Sequence, residues 1–179
     1  AEDGSIGIDN DSVVDCYDKL ADKINNVIKK HKQPAIIEEY IEGREFNVGL
    51  IEDDGLINLP ISEIDFSNLP PTYHKIVDFN AKWNYKHECY QKTVPNCPAK
   101  IDKKLKERLY EIAHKCFNVL EINGYARVDI RVDKHDEIYV LEVNPNPDLS
   151  IDAGFFRAAK AKGYTYGDLL ETIVKNAIN

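Results

Sequence analysis

The sequence predicts an α+β fold: a mainly antiparallel sheet covered by helices on one side. Three observations carry that prediction. The runs Tyr125–Asp133 and Ile138–Asn144 alternate apolar and polar residues around the polar turn Lys134-His135-Asp136-Glu137. A period of two marks a half-buried hairpin. Asp53-Asp54-Gly55 separates two further apolar runs and is a hairpin signal of the same kind. Ile101 to Ile122 carries Leu105, Leu109, Ile112, Ala113, Cys116, Phe117 and Leu120 at helical spacing, which gives that helix one apolar stripe.

Taken in order, the chain opens on a Gly-rich loop, Gly4 to Gly7. Asp9 and Asp11 are candidate N-caps for a helix running to about Lys30. Val13, Tyr17, Leu20, Ile24, Val27 and Ile28 give this helix a stripe to bury, and Lys29 and Lys30 suit its C-terminal dipole. Ala35 to Ile41 reads as a strand, Glu42-Gly43-Arg44 as a turn and Glu45 to Glu52 as a second strand. Leu56 to Leu59 and Ile61 to Phe66 read as short strands. Residues 67–100, with Pro70, Pro71, Pro95 and Pro98, read as a long surface loop, of a length that often serves as a lid. The 101–122 helix stops on Asn123-Gly124. After the hairpin come a loop from Pro145 to Ile151, a short helix near Asp152 to Ala161, and a last helix from about Tyr166. Thr165-Tyr166-Gly167-Asp168 has the form of a capping box ahead of it.

At 179 residues, 43% of them hydrophobic, the chain is about one ordinary domain with a sizeable core. A net charge of −8 argues against a nucleic-acid or membrane-surface partner, either of which calls for a basic patch. No run approaches the roughly 18 apolar residues of a membrane span, and no signal-peptide pattern opens the chain. The Ala1 start, with no Met anywhere, suggests a processed or excised piece. Cys16, Cys89, Cys97 and Cys116 include no CxxC pair. His87, Cys89, Cys97, His114 and Cys116 can be drawn as a zinc site, but their spacing matches no usual zinc module. Reduced, buried thiols in a cytoplasmic protein are the simpler reading. Cys97 has no obvious paired base to make it a nucleophile.

The polar face of the 125–144 hairpin carries the chemistry. If Val132 pairs with Glu137, Arg127, Asp129 and Arg131 share a face with Glu142 and Asn144. Like carboxylates repel, so the cluster is costly without a cation. Oxygen-only ligands suit a hard ion such as Mg²⁺, which usually bridges to phosphates, and Arg127 could take anionic oxygens in a bidentate way. The plainer alternative is an exposed hairpin face with ordinary salt bridges. Val128, Ile130 and Val132, with Tyr139, Leu141 and Val143, are expected on the opposite, apolar face.

Asp129 followed by Glu142-Val143-Asn144 resembles the metal-binding end of the ATP-grasp superfamily, and more narrowly the C-terminal part of D-alanine–D-alanine ligases. Further blocks in the same order extend the resemblance over nearly the whole chain. Gly4-Ser5-Ile6-Gly7-Ile8 resembles the loop over the ATP phosphates. Ile36 to Phe46 resembles the hinge strand and turn that hold adenosine. Ala81-Lys82-Trp83 and Cys97-Pro98-Ala99 resemble landmarks of the flexible substrate-side segment. The resemblance implies an ATP-grasp-type fold with a partial preceding subdomain. Residues 1–39 would be the C-terminal part of the central subdomain, and 40–179 the C-terminal subdomain.

The resemblance also implies a reaction: ATP phosphorylates a carboxylate, and an amine displaces the phosphate. Mg²⁺, or Mn²⁺ in its place, would be held by Asp129, Glu142 and Asn144. Arg127 would stabilise the acyl phosphate or oxyanion, and Lys82 would reach the γ-phosphate or close the lid over it. Backbone N–H groups of Ser5, Ile6 and Gly7 would cradle phosphate. Glu38, with the backbone of Glu39, Tyr40 and Ile41, would face adenine, and Glu45 would accept from ribose hydroxyls. Asn146 and Asp148 would lie on the substrate side. Trp83 is expected to pack, and Arg131 could be a simple surface charge.

The chain departs from the resemblance at three places. Glu39 stands where related ligases often carry Lys. Asp148 stands at a Gly whose N–H helps bind the oxyanion, and Ala153 at a Ser that helps hold the second substrate's carboxylate. Another small amino acid or peptide is therefore as credible a substrate as D-alanine. The first-substrate domain and two upstream lysines of the family are not in these residues. The expected partners are thus ATP, a small amino acid or peptide, and N-terminal domains of the same polypeptide. The piece alone is expected to be weak or inactive, and the alternative to a ligase fragment is a non-catalytic Mg-nucleotide-binding module.

Overall fold

The structure is a computed structural model and describes residues 4–178. The chain clusters into two compact units. One is Ile41–Ile64 with Pro95–Asn179; the other is the described part of Ala1–Tyr40 with Asp65–Val94. The second strand of the expected 40–179 part thus stays with the hairpin, whereas residues 65–94 pack with the chain's start.

The larger unit is built on a six-stranded sheet. Its strands are β1 (Gly43–Glu52), β2 (Leu56–Asn58), β3 (Ser62–Asp65), β4 (Val94–Asn96), β5 (Tyr125–Asp133) and β6 (Ile138–Asn144). Their order is β4-β3-β1-β5-β6, with β2 paired to the far end of β1. β1 runs antiparallel to β5 over its whole length, from Gly43 opposite Asp133 to Ile51 opposite Tyr125. Alternation along these two strands gives the sheet two different faces. Phe46, Val48, Leu50, Ala126, Val128, Ile130 and Val132 form one face and are buried with Leu105, Leu109, Ala113 and Phe117. Those four project from α1 (Lys103–Val119), the predicted 101–122 helix with both ends trimmed. Its start is set by Asp102, whose carboxylate accepts from Leu105 N at 2.8 Å. Its end comes before Asn123-Gly124, because Glu121 already turns left-handed (φ 51°).

The opposite face is covered over only part of its length. Ile51 packs there with Leu59, Phe155, Phe156, Ala159 and Leu169. The helices responsible are α2 (Gly154–Lys162) and α3 (Tyr166–Ile178). The capping box read from Thr165-Tyr166-Gly167-Asp168 is formed: Asp168 N donates to Thr165 Oγ1 at 3.1 Å and Thr165 N to Asp168 Oδ2 at 2.9 Å. Helices on both faces therefore replace the one-sided cover expected from the sequence.

The smaller unit departs further from its sequence reading. Its main helix, α4 (Tyr17–His31), begins well after Asp11. Asp9 instead caps a 3₁₀ turn, Asn10–Ser12, with reciprocal bonds to Ser12. The predicted apolar stripe of α4 is not buried: Tyr17 is 89% exposed and Ile28 43%. Ala35 to Ile41 forms no strand, since no described strand lies beside it, and Ile36 and Ile37 are exposed. The 67–100 segment is more regular than expected. It contains α5 (Phe79–Trp83), α6 (Glu88–Lys92) and strand β4. Local caps explain both helices: Asp78 accepts from Ala81 N and His87 Nδ1 from Cys89 N. The thiols are free, Cys89 buried and Cys97 and Cys116 half-buried, but Cys16 is exposed, against expectation. No helix among the described residues is long and apolar enough to cross a membrane.

Gly43 marks the tightest backbone approach in the sheet. A Cβ there would lie 2.1 Å from the carbonyl oxygen of Val132. Gly43→Ala is therefore expected to lower stability by about 1–3 kcal/mol as the β1–β5 end is forced apart. Urea unfolding measures this, and an unchanged midpoint would contradict the close β1–β5 approach.

Candidate active site

The part of the second sheet face that α2 and α3 leave open is polar. Three cross-strand rows lie on it. Glu45 faces Arg131 and Arg131 faces Tyr139; Asn47 faces Asp129 and Asp129 faces Glu142; Gly49 faces Arg127 and Arg127 faces Asn144. The sheet thus brings together Arg127, Asp129, Glu142, Asn144 and Glu45.

A register irregularity makes this possible. Val132 pairs with Ile138, one residue later than the expected Glu137. Continued unbroken, that register would set Leu141 opposite Asp129 and turn Glu142 toward the helix-covered face. The ladder instead shifts between Asp129 and Ile130, and Leu141 is the extra residue on β6. This β-bulge returns Glu142 and Asn144 to the polar side. It also overturns the expected apolar set. Ile138, Val140 and Val143 are the β6 residues paired with Val132, Ile130 and Val128, whereas Tyr139 lies opposite Arg131 and Leu141 is 47% exposed.

Charge compensation within the cluster is local. Arg127 clasps Asp129 with both arms: Nε to Oδ1 at 2.7 Å and a terminal nitrogen to Oδ2 at 2.8 Å. Asn47 Nδ2 also donates to Asp129 Oδ1, at 2.8 Å. Burial pushes the Arg127 guanidinium down most strongly, but its hydrogen bonds and attraction to Asp129, with the charges of Glu142 and Glu45, outweigh that and leave it raised. Directly opposed carboxylates destabilise a sheet pair. Asp129 and Glu142 are such a pair, with one guanidinium between their charge and the rest of the fold. The donor set of two carboxylates and an amide oxygen fits a hard divalent cation.

Arg131 is not the surface charge expected from the sequence. It is 3% exposed. It donates to Glu45 Oε2 at 2.9 Å and to the Ile41 carbonyl at 2.7 Å. Sequence reasoning missed this contact and Asn47 as well. Period-two alternation from Glu45 would have placed Asn47 on the polar face, so the signal was present.

Beyond β6, Asn146 N donates to Asn144 Oδ1 and Asn146 Oδ1 accepts from the Tyr125 hydroxyl, both at 2.9 Å. The Asp148 carboxylate is engaged by Ser150, through its N–H at 2.8 Å and its hydroxyl at 2.6 Å. Those bonds, with a smaller contribution from Arg127, hold the Asp148 carboxyl below its usual range.

Within the smaller unit, the Gly-rich loop is pinned to the segment that carries Lys82. Ser5 Oγ donates to the Val77 carbonyl at 2.8 Å, and Phe79 N to the Ile8 carbonyl at 3.1 Å. Trp83 Nε1 donates to the Gly4 carbonyl at 2.8 Å, but Trp83 is 52% exposed and not the packed residue expected from the sequence. Ser5 and Gly7 both have left-handed backbone (φ 61° and 85°), with Ile6 exposed between them. Lys82 is half-buried on α5. Glu38 and Glu39 are exposed, and Tyr40 stacks edge-on with His74, ring centres 5.8 Å apart.

Residues 1–175 match the family model described as D-ala D-ala ligase C-terminus. The D-alanine–D-alanine ligase of Aquifex aeolicus is 30% identical over 174 residues, which are 97% of this chain and 53% of that protein. That of Carboxydothermus hydrogenoformans is 32% identical over 174 residues, 97% and 51%. The crystal structure of the Bacillus anthracis D-alanine–D-alanine ligase complexed with ATP superposes with a TM-score of 0.69 at 25% identity, over 92% of this chain and 48% of that one. The chain thus spans about half the length of the relatives it matches.

Arg127→Met would leave Asp129, 8% exposed, facing Glu142 with no guanidinium. The expected loss is about 3 kcal/mol in urea unfolding without divalent ions, with part recovered when Mg²⁺ is added. A loss indifferent to Mg²⁺ would argue against a cation at these carboxylates.

Proposed function

The chain belongs to the D-alanine–D-alanine ligase C-terminal family, and on that premise we propose that it is the nucleotide- and metal-binding part of an ATP-dependent carboxylate–amine ligase. The reaction would proceed through an acyl phosphate formed from ATP and attacked by an amine. The observation that carries this reading is the β6 bulge, which sets Glu142 opposite Asp129 and Asn144 opposite Arg127. An ordinary charged hairpin face has no need of a bulge that aligns two carboxylates.

Asp129, Glu142 and Asn144 would hold Mg²⁺ or Mn²⁺, and the bound ion would neutralise phosphate oxygens. Arg127, kept charged and oriented by Asp129, would bind the anionic oxygens of the acyl phosphate. Ser5, Ile6 and Gly7 would offer backbone N–H groups to phosphate, and Lys82 a cation to its terminal oxygens. Glu38, Glu39, Tyr40 and Ile41 would face the adenine, and Glu45 the ribose. Asn146 and Asp148 would border the amine substrate. The Ser150 contacts with Asp148 support a loop in which that carboxylate is held by the Ser150 N–H and hydroxyl instead of by substrate. Asp148 and Ala153 together favour a small amino acid or peptide that need not be D-alanine.

Residues 1–39 would complete an ATP-grasp central subdomain begun earlier in a longer polypeptide, and 40–179 would form the C-terminal subdomain. ATP and amino acids as substrates suit a cytoplasmic setting. Under this reading the 179-residue chain binds Mg-ATP but makes no product at an enzymatic rate; turnover by the chain alone would refute its partial status.

Mg-ATP at about 100 times its Kd should stabilise the chain by ~2.7 kcal/mol, seen as a raised melting temperature. Glu142→Gln should keep the fold and lose the Mg²⁺-dependent part of that shift. Absence of any shift with the wild-type chain would sink the nucleotide reading, and unfolding of Glu142→Gln would make the residue structural. Phosphate release by the longer polypeptide across D- and L-amino acids and short peptides then identifies the amine and the acid.

A further inference from the structure

A guanidinium buried in the open half of the sheet face is not needed to carry out the reaction proposed above. Arg131 is 3% exposed and its partner Glu45 8%. Pairs buried this deeply are poor sources of stability, because the desolvation of both charges offsets their attraction. The contact must therefore be weighed by what it orients.

Two of its hydrogen bonds end on residues assigned above to the nucleotide. One terminal nitrogen donates to Glu45 Oε2 at 2.9 Å and the other to the Ile41 carbonyl at 2.7 Å. The turn expected at Glu42-Gly43-Arg44 is not formed, since Gly43 and Arg44 already belong to β1; Ile41 lies just before that strand and Glu45 on it, so a single guanidinium on β5 holds both. Arg44 takes no part in this tie: it pairs with Glu63, at 2.6 Å and 2.8 Å, and stacks over Phe46 on the other face. Glu45 and Arg131 are direct cross-strand partners, so the sheet register itself sets the geometry. A planar fork can hold a carboxylate oxygen and a carbonyl at once, in fixed directions; a lysine ammonium on a flexible stem cannot fix both.

We propose that Arg131 is a positioning residue for the nucleotide: it fixes the Glu45 carboxylate as a rigid acceptor for the ribose hydroxyls and, through the Ile41 carbonyl, ties that acceptor to the segment that would face the adenine. It acts through Glu45 and Ile41 and takes no part in phosphoryl transfer. The inference rests on the nucleotide reading and deepens it at the ribose.

The test is calorimetric titration of the 179-residue chain with Mg-ATP and with Mg-2′,3′-dideoxy-ATP. The wild-type chain should prefer ATP by about tenfold, the worth of a hydrogen bond to a charged acceptor. Arg131→Met should bring that ratio close to one, and Arg131→Lys, which keeps the charge but not the fork, should fall between. Loss of stability alone would lower both affinities together and leave the ratio intact. An unchanged ratio in Arg131→Met overturns the inference and leaves the nucleotide reading standing. If Arg131→Met does not fold, Arg131→Lys decides, and a wild-type ratio there overturns it. Binding of neither nucleotide by the wild-type chain removes the nucleotide reading, and the positioning role falls with it.

Discussion

The structure of the larger unit turns on one electrostatic constraint: two carboxylates, Asp129 and Glu142, held opposite each other across neighbouring strands. A sheet has no intrinsic reason to accept that pair. Three devices accommodate it. The Leu141 bulge brings Glu142 to the correct side, Arg127 and Asn47 bind the more buried of the two carboxylates, and Glu142 itself remains exposed. The cost is spread over three strands, which is why the cluster lies at the middle rows of β1 and β5 instead of at a loop.

The sheet can carry such a face because its other face is so thoroughly apolar. Phe46, Val48, Leu50, Val128 and Ile130 are fully buried against Leu109 and Ala113 of α1. Each such side chain contributes about 1.5–3 kcal/mol relative to an exposed one. The second face divides this work. Ile51, Phe155 and Leu169 close one end of it with apolar contacts, and the charged rows begin where that cover stops. Gly49 lies on the boundary: a Cβ there would meet Leu59 at 3.0 Å and Phe155 at 3.3 Å. The α2–α3 pair can thus press close to β1 one residue pair away from Asn47 and Asp129.

Much of this was legible in the sequence, because local patterns decided it. The period-two runs gave β1, β5 and β6, the apolar stripe gave α1, and Thr165 to Asp168 gave the cap of α3. The side of the sheet shared by Arg127, Asp129, Glu142 and Asn144 was also legible, although the register that produces it was not. The assumed Val132–Glu137 pairing and the actual Val132–Ile138 pairing with a bulge lead to the same polar side. They differ from Ile138 to Leu141: alternation put Tyr139 on the apolar side, where Ile138 and Val140 pair with Val132 and Ile130, and Leu141 is the bulge residue. A bulge depends on what the neighbouring strand offers, and a single run of residues does not encode that. Ala35 to Ile41 fails for the complementary reason. Its residues suit a strand, but a ladder needs a second strand and none of the described ones is beside it. Arg131 was misjudged because burial of an arginine is decided by its partners, here Glu45 and a backbone carbonyl on a segment 90 residues away.

The two arginines of β5 solve one problem in different ways, and the contrast bears on how the site works. Arg127 is bound through a carboxylate that is also a candidate cation ligand, so its orientation and the metal site are coupled: what Asp129 gives to a cation it gives up, in part, to Arg127. Arg131 is bound through Glu45 and a main-chain carbonyl, neither of which is a candidate metal ligand. One arginine of β5 is thus coupled to a candidate cation ligand, while the other is held to Glu45 and to the main chain ahead of β1.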